Sequence, residues 1–272
     1  MSKIRIPFVA GDRALSFLMD DHDAKDHIVN LIAEHGLQRY EAPTPQLVAG
    51  FALAFGENFL DIGANTGVYS LLYGCLAPSA TVYAFEPLVA VAKALGENIR
   101  LNPQVAERIH IEPYALSDRD GSYTWYETIN DHGLFSTSSS LSKDRAKSIG
   151  NYRTSTVRAR TLDSFTSEHG LKFRLAKIDV EGYEPAVLAG AGKTIQINRP
   201  VLIIEVLRDA DFESLNGWTS AMDYVAYAAC QDIVLRLDRV EYVAGAQNHV
   251  LCPSEHLDKL TSVSQLVGLR LR

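Results

Sequence analysis

The stretch "FLDIGANTGVYS", from Phe59 to Ser70, holds the first residues whose types and spacing could do chemistry. A buried strand is predicted to end at Ile62, glycines follow at Gly63 and Gly67, and helix-compatible residues resume at Val68. Glycines at a strand-to-helix turn let the backbone come close to a ligand. The spacing is G-x-x-x-G, not the G-x-G-x-x-G that cradles a dinucleotide pyrophosphate. The turn therefore favours a ligand without phosphates.

An acidic residue extends this first group. Glu86 ends the next predicted strand, about 20 residues beyond the glycines, where related folds hold a ribose diol. A ribose-binding acid beside a phosphate-free turn indicates a nucleoside, and S-adenosylmethionine is the common cofactor of that kind. Asp61, at the end of the first strand, could order the turn or hold the ammonium group of the cofactor. The alternative is a plain tight turn, with Glu86 a solvated acid at a helix start.

A second group lies in "KIDVEGYE". Asp179 and Glu181 are two positions apart on a predicted strand and face the same way, and Glu205 ends the following strand at the same rim. Methyl transfer to a hydroxyl needs aligned reactants and a base. Burial and neighbouring acids raise a carboxyl pKa above its usual value of about 4, which makes a better base. We predict that these three acids are catalytic, with the base among them undecided, and that Asp179 also contacts the cofactor.

Other interpretations of the acidic group remain open. The three carboxylates could hold Mg²⁺ or Ca²⁺, and the metal would lower the pKa of the acceptor hydroxyl. They could instead be ion-paired with Lys177, Arg199 or Arg208 and hold the rim together. His132 is an alternative base. Glu184, at a predicted helix start, is explained by a simple cap that the helix dipole favours.

Alternating strands and helices must position both groups. Strands are predicted at 59–62, 81–85, 109–116, 175–180 and 201–206, with helices after the first, second and fourth. This order predicts an α/β fold, in which right-handed crossovers wrap a parallel sheet. Ligands of such sheets bind at the carboxyl ends of the strands, where the strand order reverses. The first and fourth of these strands should flank that point.

Two later segments break the alternation. Residues 119–160 are polar and form a predicted insertion, an irregular hairpin with a mobile loop. Its basic residues, such as Arg145, could grip an acidic or sugar substrate, and Trp125, Tyr126 and Phe135 could line a pocket or pack in the core. After a helix predicted from about Trp218 to Cys230, three short strands start near Ile233, Val240 and His249 and predict an antiparallel edge.

These elements define the predicted fold. We expect a Rossmann-like, seven-stranded, mostly parallel sheet with an antiparallel edge and helices on both faces. Residues 1–55 form an N-terminal cap with a hairpin and helices, the helices at about 26–35 and from Thr44. Residues 56–272 form the cofactor-binding domain.

Composition limits the partners. The 272 residues carry a formal net charge of -7, which argues against a nucleic-acid partner. The three cysteines are far apart and form no CxxC pair, so a zinc site or a disulfide framework is not expected. There is no signal-peptide core and no apolar run of about 18 residues. We expect a cytoplasmic protein that acts on a small molecule away from membranes, and its oligomeric state is left open.

The motifs "FLDIGANTGVYS", "VYAFEP", "YALSDRDG", "TLDSF" and "LAKIDVEGYEPAVLAGA" occur in this order. Together they resemble the FkbM-type methyltransferases from about Tyr40 to Pro253. The resemblance implies a class I S-adenosylmethionine-dependent fold and methylation of a hydroxyl on a sugar or natural product. It also implies the roles of the cofactor residues. The methionine end is lined by Asp61, Gly63, Asn65 and Gly67, the ribose is held by Glu86, and the adenine lies beside Ser117 and Asp118.

Three other functions are weighed against this one. An N-methyltransferase of similar fold would also suit an acidic rim. A different nucleotide-binding Rossmann-like enzyme, such as a short dehydrogenase, would need a phosphate-cradling glycine set and a Tyr-x-x-x-Lys pair, and neither is present. A non-catalytic binding module would be expected to lose Glu86 or the glycine turn, and both are present.

Overall fold

A large mixed sheet forms the centre of the computed structural model, which describes residues 2–128 and 139–272. In chain order the strands are β1 (Lys3–Ala10), β2 (Arg13–Asp20), β3 (Phe59–Ile62), β4 (Val82–Phe85), β5 (Ile109–Glu112), β6 (Ala115–Leu116), β7 (Gly121–Thr128), β8 (Tyr152–Arg160), β9 (Leu175–Ile178), β10 (Val201–Glu205), β11 (Tyr224–Cys230), β12 (Ile233–Leu237), β13 (Asn248–Pro253) and β14 (Arg270–Leu271). The α-helices are α1 (His27–His35), α2 (Thr44–Phe55), α3 (Val68–Leu76), α4 (Val89–Arg100), α5 (Pro103–Ala106), α6 (Lys143–Ile149), α7 (Leu162–His169), α8 (Glu184–Ala189), α9 (Gly192–Asn198), α10 (Phe212–Ala221) and α11 (Leu257–Leu266).

The order of the large sheet creates the expected crevice. Its order is β14-β12-β11-β13-β10-β9-β3-β4-β5, and the five strands from β10 to β5 are parallel. The chain runs from β3 outward to β5 and later returns to β9, on the other side of β3. The order therefore reverses between β3 and β9, where Asp61 is the register partner of Lys177. The carboxyl ends of these two strands meet there, as predicted.

The sheet has nine described strands, where the sequence predicted seven. Residues 224–230, predicted as helix, form β11, and the segment near Val240 is not a strand. Strand β13 lies inside the sheet and pairs antiparallel with both β10 and β11. The antiparallel part that was predicted at an edge therefore begins within the sheet, at β13. A short, mostly buried apolar run has no clear periodicity, and it therefore does not distinguish a strand from a helix.

Both faces of the sheet are covered, which confirms the predicted α/β class. Leu175 and Ile203 pack into the core on the side of the cap and α2 and α3. The neighbouring Ala176 and Ile204 pack into a second core with residues of α7 to α10. Parallel strands buried on both faces are continuously apolar, and this explains why β9 and β10 were visible in the sequence.

The N-terminal hairpin and helices are confirmed. Strands β1 and β2 pair antiparallel, and Asp26 caps α1 by accepting a hydrogen bond from the amide of Val29 at 3.0 Å. Ile6 and Phe51 of this region pack in the same core as Phe59 of β3. The cap is thus built onto the main core, and its boundary at residue 55 stays a prediction.

The insertion supplies two strands, β7 and β8, of a small sheet ordered β6-β8-β7, and α6 precedes β8. The predicted hairpin is confirmed as the antiparallel pair β7 and β8. His132 and Phe135 lie outside the described residues, so their predicted roles are not considered further. Within the described ranges, no helix has the length and apolar character needed to cross a membrane.

Candidate active site

The glycine turn after β3 brings two strand ends into contact. Gly63 has a φ of 82°, and the amides of Gly63 and Ala64 both donate to the carbonyl of Phe85, at 3.1 and 3.0 Å. A Cβ atom at Gly63 would lie 1.8 Å from the carbonyl oxygen of Asp179. Real Cβ contacts are never this short, so only glycine allows β3 and β9 to end side by side.

Glu86 is held in place by the backbone. Its Oε2 accepts from the amide of Asn65 at 3.2 Å, and its Oε1 accepts from the amide of Leu88 at 2.9 Å. The residue is 6% exposed, and burial raises its pKa to about 7. Each carboxylate oxygen still has a free lone pair. The side chain can therefore accept further hydrogen bonds from a pair of hydroxyls.

Glu86 opens into a mainly apolar cavity. The wall also includes Gly63 and Asn65, together with Phe85, Leu88, Val91, Leu116, Trp125, Leu141 and Tyr183. Trp125 therefore lines a pocket, one of its two predicted roles. The Nε1 atom of Trp125 is buried and has no hydrogen-bond partner among the described residues. A planar, largely apolar group would fit such a wall.

A second, more polar cavity adjoins the first. Both are lined by Gly63, Asn65, Asp179 and Glu181. The remaining wall comes from the glycine turn, from β9 and β10, and from the cap, including Gly67, Lys177, Glu205, His27, His35, Tyr40 and Glu41. The two cavities thus meet at the carboxyl ends of β3 and β9.

The predicted acidic group is assembled in the second cavity. One carboxylate oxygen from each of Asp179, Glu181 and Glu205 lies within 4.8 Å of the other two. Burial, followed by the charge of Asp179, raises the pKa of Glu181 and of Glu205. The Oε2 atom of Glu205 is buried and accepts no hydrogen bond from the described residues. These acids therefore bind protons more tightly than a free carboxylate does, and the geometry of the cluster also suits a divalent cation.

Two cations partly balance these acids. Lys177 Nζ lies 2.5 Å from Asp179 Oδ2, and Arg145 donates to Glu181 Oε2 at 3.1 Å. Lys177 was predicted as an ion-pair partner, whereas the pairing with Arg145 was not. The other suggested partners are elsewhere. Arg199 is ion-paired with Glu255, and Arg208 stacks on Tyr242, with its guanidinium carbon 4.8 Å from the ring centroid.

Lys177 is buried below the second cavity. Its side chain is 3% exposed, lies 4.0 Å from Glu41 Oε2, and packs 4.7 Å from the centroid of Tyr69. The hydroxyl of Tyr69 donates to Glu41 at 2.8 Å. Burial disfavours the charge, yet the carboxylates of Asp179 and Glu41 outweigh it and raise the Lys177 pKa. A buried, permanent positive charge therefore lies beneath the acids.

Glu184 begins α8, but its side chain binds the loop before the helix and is not the simple cap that the sequence suggested. It is 2% exposed, and its Oε1 accepts from the amides of Val180 and Gly182, at 3.0 and 3.3 Å. These bonds brace the loop that carries Glu181, whose φ is 55°. Burial raises the pKa of Glu184 to about 7.

Three predicted cofactor residues, Asp61, Ser117 and Asp118, are not among the residues that line the two cavities. Asp61 is buried and accepts a 2.6 Å hydrogen bond from the hydroxyl of Ser70, an arrangement that orders the turn. Burial raises its pKa to about 6. Ser117 donates to Asp118 at 3.0 Å, and its hydroxyl lies 3.4 Å from that of Tyr183, which does line the first cavity. The other predicted cofactor residues all line a cavity.

Several residues around the cavities were given no role from the sequence. Tyr40 and Glu41 precede α2 in an irregular segment, and Tyr183 lies within the acidic motif KIDVEGYE. Their distance in sequence from the glycine turn hid their contribution. Trp125 was recognised in the sequence as a possible pocket residue, because it is an aromatic residue in a polar insertion.

Comparisons with known proteins complete the description. The methyltransferase FkbM domain matches residues 61–242, well over half of the chain. A segment of 70 residues is 41% identical to part of the AMB antimetabolite synthetase AmbE of Pseudomonas aeruginosa, covering 25% of this chain and 3% of that protein.

Solved structures show more distant likeness. Methyltransferase FkbM from Methylobacillus flagellatus is 16% identical, with a TM-score of 0.47 over 72% of this chain and 43% of that one. An S-adenosylmethionine-dependent O-methyltransferase from Thermotoga maritima is 11% identical, with a TM-score of 0.43 over 92% of both chains. The match over residues 61–242 spans both the glycine turn and the acidic motif. The chain belongs to the FkbM methyltransferase domain family.

Proposed function

We propose that this protein transfers a methyl group from S-adenosylmethionine to a hydroxyl of a small molecule. The observation that carries the proposal is the meeting of two unlike cavities. One has the features of a nucleoside site, and the other holds three clustered acids. Their common wall at Gly63, Asn65, Asp179 and Glu181 is where a methyl donor and an acceptor would come together.

The residues of the first cavity fit the cofactor. Glu86 would accept hydrogen bonds from the ribose hydroxyls, and the apolar wall around Leu116 and Tyr183 would hold the adenine. Trp125 would form a further part of this wall. When bound, S-adenosylmethionine supplies a methyl group activated by a positively charged sulfur. Asn65 and Gly67 would line its methionine end.

The acids of the second cavity would take the acceptor proton. Burial and then the charge of Asp179 raise the pKa of Glu181 and of Glu205, and a nearby cation would lower both again. Cofactor binding would then leave a carboxylate ionised where the acceptor lies. Asp179 Oδ2 is already bonded to Lys177, whereas Glu205 Oε2 has no partner among the described residues. We therefore favour Glu205 as the base, with Asp179 held beside it by Lys177.

A third cavity suggests where the acceptor enters. It shares Glu205 and Gln247 with the second cavity and extends to Arg145, Arg208 and Tyr242. Planar polar groups beside an exposed aromatic ring suit a hydroxylated molecule such as a sugar. The relative AmbE is described as an antimetabolite synthetase, which supports an acceptor from natural-product chemistry. The net charge of -7 favours a small molecule over a nucleic acid.

The same acids could bind Mg²⁺, which would then lower the pKa of the acceptor hydroxyl. Methyl transfer measured with added Mg²⁺ and with EDTA separates this route from a carboxylate base. A loss of activity in EDTA that Mg²⁺ restores would assign the acids to a metal.

We also propose a cytoplasmic location, which the three free cysteines support.

The first experiment is calorimetric titration of S-adenosylmethionine and S-adenosylhomocysteine. Wild type should bind both, and Glu86→Ala should weaken binding at least tenfold. Glu112→Ala is the matched control, because Glu112 ends the neighbouring strand β5 and lines neither of the first two cavities. No binding by wild type, or an equal loss in both variants, would refute the cofactor assignment.

Turnover is tested next with a panel of hydroxylated acceptors and their amine analogues. Glu205→Gln should lower kcat at least 100-fold while the affinity for S-adenosylhomocysteine stays within about twofold, as expected for loss of a general base. Methylation of the amines alone would replace the O-methyltransferase proposal with an N-methyltransferase.

A further inference from the structure

Two buried asparagines, Asn98 in α4 and Asn102 just before α5, attach the N-terminal hairpin to the body of the protein. The carboxamide oxygen of Asn98 accepts from the amide of Asp20 in β2 at 2.8 Å. Asn102 binds the same strand twice, accepting from the amide of Leu18 at 2.9 Å and donating to its carbonyl at 2.7 Å. Asn98 and Asn102 are 0% and 2% exposed. Because water does not reach these side chains, their hydrogen bonds within the protein satisfy them.

Only Asn98 also reaches the glycine turn. Its Nδ2 donates to the carbonyl of Thr66 at 2.9 Å. Thr66 lies between Asn65 and Gly67, and all three line the second cavity. One carboxamide group therefore bonds the hairpin with its oxygen and the turn with its nitrogen.

The cap forms part of the same cavity. Residues of α1 and the segment before α2, including Leu31 and Tyr40, face the glycine turn across it. Glu41 is tied to α3, the helix that the turn begins, through the hydroxyl of Tyr69. A displaced hairpin would therefore disturb the cavity at the turn as well as at its outer wall.

We propose that Asn98 is a positioning residue through which docking of the N-terminal hairpin sets the glycine turn for the cofactor. This rests on the proposed function. A buried amide that loses one partner leaves an unsatisfied polar group, so the turn is best ordered when the hairpin is docked. Coupling between two sites is reciprocal, and cofactor binding must then stabilise the docked hairpin to the same extent.

The test compares Asn98→Ala with Asn102→Ala. Both variants lose a buried amide against β2 and should lower Tm, but only Asn98→Ala loses the bond to the turn. Calorimetry should show S-adenosylhomocysteine binding about tenfold weaker in Asn98→Ala, or about 1.4 kcal/mol, and within about twofold of wild type in Asn102→Ala. Equal affinities in the two variants would overturn the proposal.

A measurement on wild type covers the case in which Asn98→Ala does not fold. Amide hydrogen exchange is followed with and without S-adenosylhomocysteine. The ligand should slow exchange in β2, and exchange in β12, at the far side of the sheet, should change less. Unchanged exchange in β2 under saturating ligand would overturn the coupling. Absence of ligand binding by wild type would instead refute the proposed function, so the two failures are distinguishable.

Discussion

Replacing Gly63 by alanine should damage both stability and cofactor binding. The added Cβ would lie 1.8 Å from the carbonyl oxygen of Asp179, and contacts below 3.0 Å are essentially never observed. The two strand ends must therefore separate by about 1.2 Å. The backbone of Asp179 belongs to the wall shared by the two cavities, so the shift would act on the site itself.

The magnitude follows from two penalties. A residue other than glycine at a φ of 82° costs about 1–3 kcal/mol. Overpacking against a buried backbone costs about another 1–3 kcal/mol. Gly63→Ala should thus lower the free energy of unfolding by about 2–6 kcal/mol. A displacement of about 1 Å near the reacting groups can in addition cost about 100-fold in rate.

A matched control separates the two penalties. Gly36, which follows α1, has a φ of 84°, and a Cβ there would meet nothing within 4 Å. Gly36→Ala should therefore show only the φ penalty. Unfolding in urea gives both free energies, and titration with S-adenosylhomocysteine gives both affinities. If Gly63→Ala is no less stable than Gly36→Ala and binds the ligand as wild type does, the close approach of β3 and β9 is not what requires glycine.

Three further predictions concern charged groups. Lys177→Met should lower the free energy of unfolding by about 3–5 kcal/mol, because it leaves buried acids without their cation. Adding Asp179→Asn should recover part of this loss. Urea unfolding measures both variants, and additive losses would contradict the pairing. Burial raises the Glu184 pKa from 4.5 to about 7, so the folded state binds this proton more tightly than the unfolded chain. The stabilisation that comes from protonated Glu184 is complete below about pH 4.5 and is lost as the pH rises through 7. Urea unfolding should accordingly show that wild type loses stability relative to Glu184→Gln over this range, and a difference independent of pH would count against it. Arg208→Ala should raise the acceptor KM about tenfold and leave the affinity for S-adenosylhomocysteine unchanged; an unchanged KM would show that the acceptor does not use the third cavity.

The parallel half of the sheet was predictable because its signals are local. Strands β3, β4, β9 and β10 are short apolar runs bounded by turns, and helices follow three of them within a few residues. Strand β11 was missed because a buried run such as 224–230 has no clear periodicity. The pairing of β12 with the chain end at β14 depends on residues far apart in sequence, so no local pattern announces it.

The candidate site also has a part that the sequence predicts and a part that depends on packing. Gly63, Glu86 and Asp179 stand at strand ends, and the order of the strands alone brings strand ends of a parallel sheet to one edge. Ser117 and Asp118 also follow a strand, yet neither is among the residues that line the two cavities. The position of a residue at a strand end predicts its neighbourhood, and packing decides whether its side chain reaches the cavity.

The sequence by itself determined the α/β class, the crevice between β3 and β9, and the residue types at its rim. These follow from periodicity and turn chemistry, which neighbouring residues encode. Only the tertiary structure decided that Lys177 lies beneath the acids, that Glu41 and Tyr40 close the cavity, and that Asn98 joins the hairpin to the glycine turn. Burial, ion pairing and shifted pKa values depend on groups that come into contact only when the chain is folded. The spacing of residues along the chain does not predict those contacts.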